Sequence, residues 1–138
     1  MTTSSFETIG KPPIDQFEVK PNLNPDDVSG FDWQQLYSEL DWLPGGGLNK
    51  AHEAIDRHAN GPRRDKIAMI WEGKNGERED YTFGQMKRLS DKFAGALQNL
   101  GVETGDRLFL FLDRIPELYI AFFGILKAGA IAGPLFSA

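Results

Sequence analysis

The 138 residues hold 15 Lys and Arg against 20 Asp and Glu, a formal net charge of −5, with 41% hydrophobic and 25% charged residues. This is the composition of an ordinary globular chain of about one domain, on a prior of ~150 residues per domain. It argues against nucleic-acid and anionic-membrane partners, which need clustered Lys and Arg, and the absence of cysteine excludes disulfides, thiolate metal sites and a cysteine nucleophile.

The N-terminus, MTTSSFETIGKPP, lacks the basic start and apolar core of a signal peptide, and with no cysteine to suggest an oxidising compartment a cytoplasmic location is expected. Residues 1–24 show no hydrophobic period and read as an extended arm, ordered only where Phe6, Ile14, Phe17 or Val19 finds a pocket. From Pro25 the pattern changes: Asp26 and Asp27 can cap a helical turn, and Trp33, Leu36, Tyr37 and Leu40 fall at helical spacing. A short helix fastening the arm to a core explains this aromatic cluster better than a ligand-stacking platform. Pro44-Gly45-Gly46-Gly47 ends it. The glycine triplet lacks both a preceding strand and a following Lys-Ser/Thr, so it reads as a turn and not a phosphate loop.

Residues 48–60 form the next predicted helix, with Asn49 as N-cap and Ala51, Ala54, Ile55 and Ala59 at near-helical intervals. His52 and His58 are six apart and cannot share a helical face, whereas a helical zinc pair wants a spacing of four, so no metal site is expected. Ile67, Met69, Ile70 and Trp71 mark a strand over 66–72, the Asn75-Gly76 pair favours a tight hairpin turn, and 79–82 returns. Glu72, Glu79 and Asp80 resemble paired carboxylates, but on a hairpin they read as solvated. Thr82 and Gln85 form a capping box, and Met86, Leu89, Phe93, Leu97 and Leu100 then define one apolar face closed by Gly101 and Val102.

The last stretch, 105–138, reads as a βαβ unit. The nearly continuous apolar run 107–112 suggests a strand covered on both faces. Pro116 opens a helix that Lys127 and Gly129 close, and 130–135 is a second, parallel strand reached by a right-handed crossover. A C-terminal membrane anchor is the competing reading, since 118–136 contains one charge. A span needs ~20 apolar residues and a mid-span Lys costs roughly 2.5–3.5 kcal/mol, so Lys127, Gly129, Gly133 and Pro134 together favour the buried βαβ unit. The final strand has no covering element after it, and the chain is expected to be cut in the middle of a domain.

These motifs together resemble a known family. Tyr81-Thr82-Phe83 opening a helix, Leu100-Gly101-Val102 followed by Gly105-Asp106-Arg107, Pro116-Glu117-Leu118, and Lys127-Ala128-Gly129-Ala130 are similar to the N-terminal region of adenylate-forming acyl-CoA synthetases. Leu48-Asn49, Ala54-Ile55-Asp56-Arg57-His58, Ile70-Trp71-Glu72-Gly73, Pro116-Glu117-Leu118-Tyr119 and Gly129-Ala130-Ile131-Ala132-Gly133-Pro134-Leu135-Phe136 resemble the bacterial acetate–CoA ligases more narrowly. The resemblance implies an α/β fold, the N-terminal part of the large domain of an adenylate-forming enzyme with a β-hairpin and a parallel βαβ unit. Residues 1–47 would be an arm with a short helix and 48–138 the first part of the AMP-binding domain.

By the same resemblance, the parent enzyme joins acetate or a short carboxylate to CoA through an acyl-adenylate, using ATP, CoA and Mg²⁺, with small-molecule partners only. The phosphate loop, metal-binding Glu and catalytic Lys of the family have no counterpart here. The chain is therefore expected to be scaffold, inactive alone, binding none of these cofactors by itself and needing the remainder of its domain to fold. Only Phe136, Ser137 and Ala138 align with a family stretch that walls the CoA nucleotide, and Ser137 and Ala138 depart from the glycines common there. The alternative is a free-standing interaction module that pairs through its uncovered strand.

Overall fold

The computed structural model describes residues 10, 12–19 and 32–135. The chain divides into two compact units, residues 1–39 and 40–138. In the first, the described elements are a 3₁₀ turn, Ile14–Gln16, and the five-residue helix α1, Trp33–Tyr37. Asp32 caps α1, its carboxylate accepting from the Gln34 N–H at 3.0 Å. Asp26 and Asp27, the caps expected from sequence, lie outside the described residues, as does Phe6. Within this unit α1 buries none of its residues, and Phe17, Val19, Trp33 and Tyr37 are exposed. Five residues are too few for a helix to contribute a broad apolar stripe.

The second unit begins with the glycine turn. Leu43 N–H donates to Gly47 O at 2.9 Å and Gly46 N–H to Leu43 O at 2.9 Å, with Gly45 and Gly46 both at positive φ (91° and 82°). Asn49 then caps a helical segment as expected, its side-chain oxygen accepting from the Ala51 N–H at 2.9 Å. The winding departs from the expectation. His52–Asp56 is a π turn, with Arg57 N–H reaching back to His52 O, and it continues into α2, Arg57–Ala59. The wider turn puts Ala51, Ile55 and Ala59, four apart, in the core and leaves Ala54 exposed.

Strands β1 (Ile67–Glu72) and β2 (Arg78–Thr82) form an antiparallel hairpin, with a bulge between Ile67 and Met69. Its turn is one residue longer than an Asn-Gly pair alone. Gly73 N–H bonds to Glu77 O, Gly76 N–H bonds to Gly73 O, and Gly76 takes φ 91°, the left-handed position of a three-residue hairpin loop. The capping box is formed in full: Thr82 Oγ1 accepts from Gln85 N–H at 3.2 Å, and the Gln85 side chain accepts from Thr82 N–H at 2.7 Å. It starts α3, Phe83–Asn99, which ends in a Schellman motif: Val102 N–H to Leu97 O, Gly101 N–H to Gln98 O, and Gly101 at φ 84°. The buried stripe is Met86, Ser90, Ala94 and Leu97, turned from the predicted one; Leu89 and Phe93 are half-buried and Leu100 is exposed.

The reason for that rotation is α4, Pro116–Lys127, which approaches α3 closely at small residues. A Cβ on Gly124 would stand 2.9 Å from Ser90 O and 2.8 Å from Phe93 Cδ1. Ser90 is fully buried and donates its hydroxyl back to Met86 O at 2.7 Å. α4 joins β3 (Arg107–Leu110) to the parallel β4 (Ile131–Pro134), so the βαβ unit is present as expected. The core lies under it, formed by Ala94, Leu97, Leu110, Ala121, Ile125, Ala128 and Ala130.

Among the described residues β3 is covered on one face: Leu108 and Leu110 face the core, whereas Phe109 and Phe111 are 67% and 71% exposed. No helix among the described residues is long and apolar enough to cross a membrane, α4 stopping after 12 residues.

Candidate functional site

In a parallel sheet, ligands bind in the crevice beyond the carboxyl ends of the strands. Here β3 and β4 end side by side, held by Leu135 N–H donating to Leu110 O at 2.8 Å. Beyond them lies a cleft of 610 Å³ lined by Leu112, Asp113, Arg114, Leu118, Tyr119, Pro134 and Leu135. A second cleft, of 570 Å³, lies between the hairpin and α4 and shares Arg114 and Tyr119 with the first. It is mostly apolar, walled by Ile55, Met69, Trp71, Met86 and Phe123. The 111–115 segment between the clefts is pinned to the hairpin, because Trp71 Nε1–H donates to Arg114 O at 2.7 Å. The side chains of Asp113 and Arg114 make no hydrogen bond or ion pair with one another or with other described residues.

The residues singled out from sequence are placed as follows. Phe136, Ser137 and Ala138 lie outside the described residues; the chain leads into them from Leu135, on the rim of the larger cleft. His52 pairs with Asp41 at 3.2 Å, while His58 stacks edge-on against Phe83 at 5.1 Å. Burial, with the nearby Arg63 and Arg57 charges, lowers the His58 pKa below its ordinary 6.5. The hairpin carboxylates are exposed and locally paired: Asp80 accepts from Arg78 Nε at 2.9 Å, Glu72 lies 3.8 Å from Arg78, and Glu79 accepts from the Tyr81 hydroxyl. That bond to Glu79, aided by partial burial and by the Glu79 and Glu117 charges, pushes the Tyr81 phenol to about 12, so it stays protonated at neutral pH. These groups have the geometry of turn chemistry and not of a general acid–base pair.

The strongest electrostatic feature went unseen in the sequence. Lys127, with a side chain only 9% exposed, donates to Asp56 Oδ1 and Asp91 Oδ1, both at 2.6 Å, and Asp91 also takes Lys87 Nζ at 2.6 Å. Burial opposes charging Asp91, but the hydrogen bonds from Lys127 and Lys87 outweigh it and hold the carboxyl below its ordinary 3.8. The network ties the π turn, α3 and α4 together. Its only trace in the sequence is the lone cation in an apolar helix and the i,i+4 pair Lys87–Asp91.

Among the described residues no three His, Asp or Glu side chains converge as metal ligands, and the glycine turn closes on itself, so neither fits Mg²⁺ or an ATP phosphate chain. A family model described as "AMP-binding enzyme" matches residues 55–138, well over half of the chain. This chain belongs to the AMP-binding enzyme family.

Among its relatives, the acetyl-coenzyme A synthetase of Bacillus subtilis (strain 168) is 46% identical over 110 residues, 78% of this chain and 19% of the relative. The 3-hydroxypropionyl-coenzyme A synthetase of Metallosphaera sedula is 37% identical over 109 residues, 76% of this chain and 16% of the relative. A crystal structure of an acyl-CoA synthetase from Brucella canis superposes with a TM-score of 0.74 at 29% identity, covering 83% of this chain and 20% of that one. The chain thus spans about a fifth of the length of the AMP-binding enzymes it matches. The mixed α/β fold, hairpin plus parallel pair, agrees with that likeness.

Proposed function

We propose that this chain is the N-terminal segment of an acyl-CoA ligase that activates acetate, or another short carboxylate, with ATP and Mg²⁺ and passes the acyl group from an adenylate to CoA. The observation that supports this reading best is the 46% identity to an acetyl-coenzyme A synthetase over 110 residues. Residues 48–138 are then the opening part of the adenylation domain, after an arm and short helix at 1–47, in a protein working in the cytoplasm without a nucleic-acid or membrane partner.

In this reading the described residues position and do not react. The βαβ unit sets the crevice at the ends of β3 and β4, the Trp71 bond holds its 111–115 wall, and Phe136, Ser137 and Ala138 contribute to walling the CoA nucleotide. Adenylate chemistry depends on positioned donors and charge neutralisation around the phosphoryl group, and the rest of the ligase supplies these.

The test is acetate-dependent ATP–pyrophosphate exchange. Residues 1–138 alone are expected to show none. A chimera in which this chain replaces the matched segment of the Bacillus subtilis synthetase is expected to retain it. Exchange by the 138-residue chain, or a well-folded chimera without exchange, would overturn the proposal.

A further inference from the structure

The cleft beyond β3 and β4 and the cleft beside the hairpin have two residues in common, Arg114 and Tyr119. Both carry donors that the fold leaves unused: the Arg114 guanidinium and the Tyr119 hydroxyl have no hydrogen bond or ion pair among the described residues. Their main chains, by contrast, are fixed. Trp71 Nε1–H holds Arg114 O at 2.7 Å, and Tyr119 lies in the first turn of α4, which Pro116 opens. The backbone that carries each side chain is thus set while its polar end is free.

The surroundings select an anion. Among the described residues Arg114 is the only cation lining either cleft. Two carboxylates are present there, and neither pairs with it: Glu72 lies 3.8 Å from Arg78, and Asp113 lines the 610 Å³ cleft but not the 570 Å³ one. The neighbouring walls are largely apolar, Trp71, Leu118 and Phe123 among them, and beside such walls a charge-assisted hydrogen bond is stronger than in open water. A guanidinium fork next to a hydroxyl donor matches the oxygens of a phosphate. We infer that Arg114 and Tyr119 are a phosphate-binding pair that positions a phosphate-bearing substrate of the ligase where the two clefts meet. The inference rests on the ligase-segment reading, in which ATP and CoA carry phosphate and acetate offers only a carboxylate.

The test uses the full-length chimera described above and reads a KM for each substrate. ATP and acetate are measured by pyrophosphate exchange without CoA, and CoA by thioester formation. Arg114→Gln is expected to raise the KM for ATP or for CoA about tenfold or more, the loss of one charge-assisted bond. Arg114→Lys should recover part of this, because it keeps the charge and loses the fork. Tyr119→Phe should raise the same KM about fivefold. The double variant should fall short of the product of the two, since both donors hold one phosphate. Whichever KM moves names the source of the phosphate. A rise in the acetate KM alone overturns the inference in favour of a carboxylate site. Unchanged KM values in a chimera that exchanges pyrophosphate overturn it while the ligase reading stands, and so does a lower kcat that merely tracks a lower melting temperature. If a well-folded chimera does not exchange, the ligase reading falls and calorimetric binding of ATP and of CoA decides the inference. Weaker binding of either by Arg114→Gln supports it, and equal binding of both overturns it.

Discussion

The inner and outer faces of the β3–β4 pair are finished to different standards. The inner face meets α4, which in turn meets α3 through glycine, alanine and serine at backbone contact, with Ser90 satisfied by Met86 O and Lys127 held between Asp56 and Asp91. The outer face presents two phenylalanines and two aliphatic side chains to solvent with nothing packed on them among the described residues. The same four-residue strands supply both. What separates the faces is whether a neighbour is present, so substitutions on the inner side should register in stability and those on the outer side should not.

The buried charge network should give the largest effect. Lys127→Met leaves Asp56 and Asp91 beside each other without their shared cation, and breaking a buried pair from one side costs ~3–5 kcal/mol. Asp91 is 43% exposed and solvent screens it, so the lower end, about 3 kcal/mol, is expected in urea unfolding near pH 7. The pH dependence has a definite sign. Asp91 is depressed in the folded state, so its contribution is present above its ordinary 3.8 and is lost as the pH falls through the lower folded value. The gap between wild type and Lys127→Met should therefore narrow as the pH falls below the ordinary Asp91 value and that carboxyl protonates. A gap that is constant from pH 7 to 3 would mean the lysine acts by packing and not by charge. Lys87, raised chiefly by its hydrogen bond to Asp91, contributes below its ordinary 10.5 and loses that contribution only as the pH rises past its folded value.

Two glycines offer a comparison in which the same substitution changes sign. Gly95, inside α3, has open space where a Cβ would go, whereas Gly124 in α4 meets Ser90 O and Phe93. Alanine is the better helix former by about 1 kcal/mol, so Gly95→Ala should stabilise by ~0.5–1 kcal/mol. At Gly124 the Cβ meets backbone that cannot rotate away, and overpacking of ~1–3 kcal/mol exceeds the propensity gain. Gly124→Ala should therefore lower the urea midpoint by the equivalent of about 1–2 kcal/mol. Parallel shifts of both variants in one direction would show that α3 and α4 are not in backbone contact.

How legible these regions were follows from what kind of force shapes each. Local devices could be read directly. The Thr82–Gln85 box, the Gly101 and Gly129 termini, Pro116 at the start of α4 and Asn49 as a cap depend on residues within a turn of one another. Features set by packing partners could not. Ser90 and Ala94 hold the α3 face that large apolar residues were expected to hold, because only small side chains admit α4 so closely. The π turn at His52–Asp56 has no distinguishing composition, and Asp56 reaches Lys127 across 71 residues of chain. The apolar run through Phe109 and Phe111 announced two buried faces while the described chain buries one. For the candidate site, only Phe136, Ser137 and Ala138 were singled out from sequence, by resemblance, and they lie outside the described residues; the crevice depends on how β3 and β4 pair, and Arg114 on a Trp71 bond 43 residues away in sequence.

A smaller effect is expected at the capping box, where loss of the Thr82 hydroxyl frees the Gln85 N–H. Thr82→Ala should cost about 1 kcal/mol, and Thr82→Asn should recover most of it because an amide oxygen can replace the hydroxyl. A cost well above this would mean the β2–α3 junction carries tertiary strain as well as a cap.

The outer face should give the smallest change, and that is what makes it informative. Phe111→Ser removes a ring that is 71% exposed, so little transfer energy is at stake, and a surface substitution of this kind stays within ~0.5 kcal/mol. Binding of an environment-sensitive hydrophobic dye to the 138-residue chain should nevertheless fall, because a contiguous apolar patch is broken. In the chimera with the Bacillus subtilis synthetase the same change should cost ~2 kcal/mol or more, the scale of truncating a buried aromatic. Energy at Phe111 is then set by what lies on top of it, and a variant equally silent in both proteins would show that nothing does.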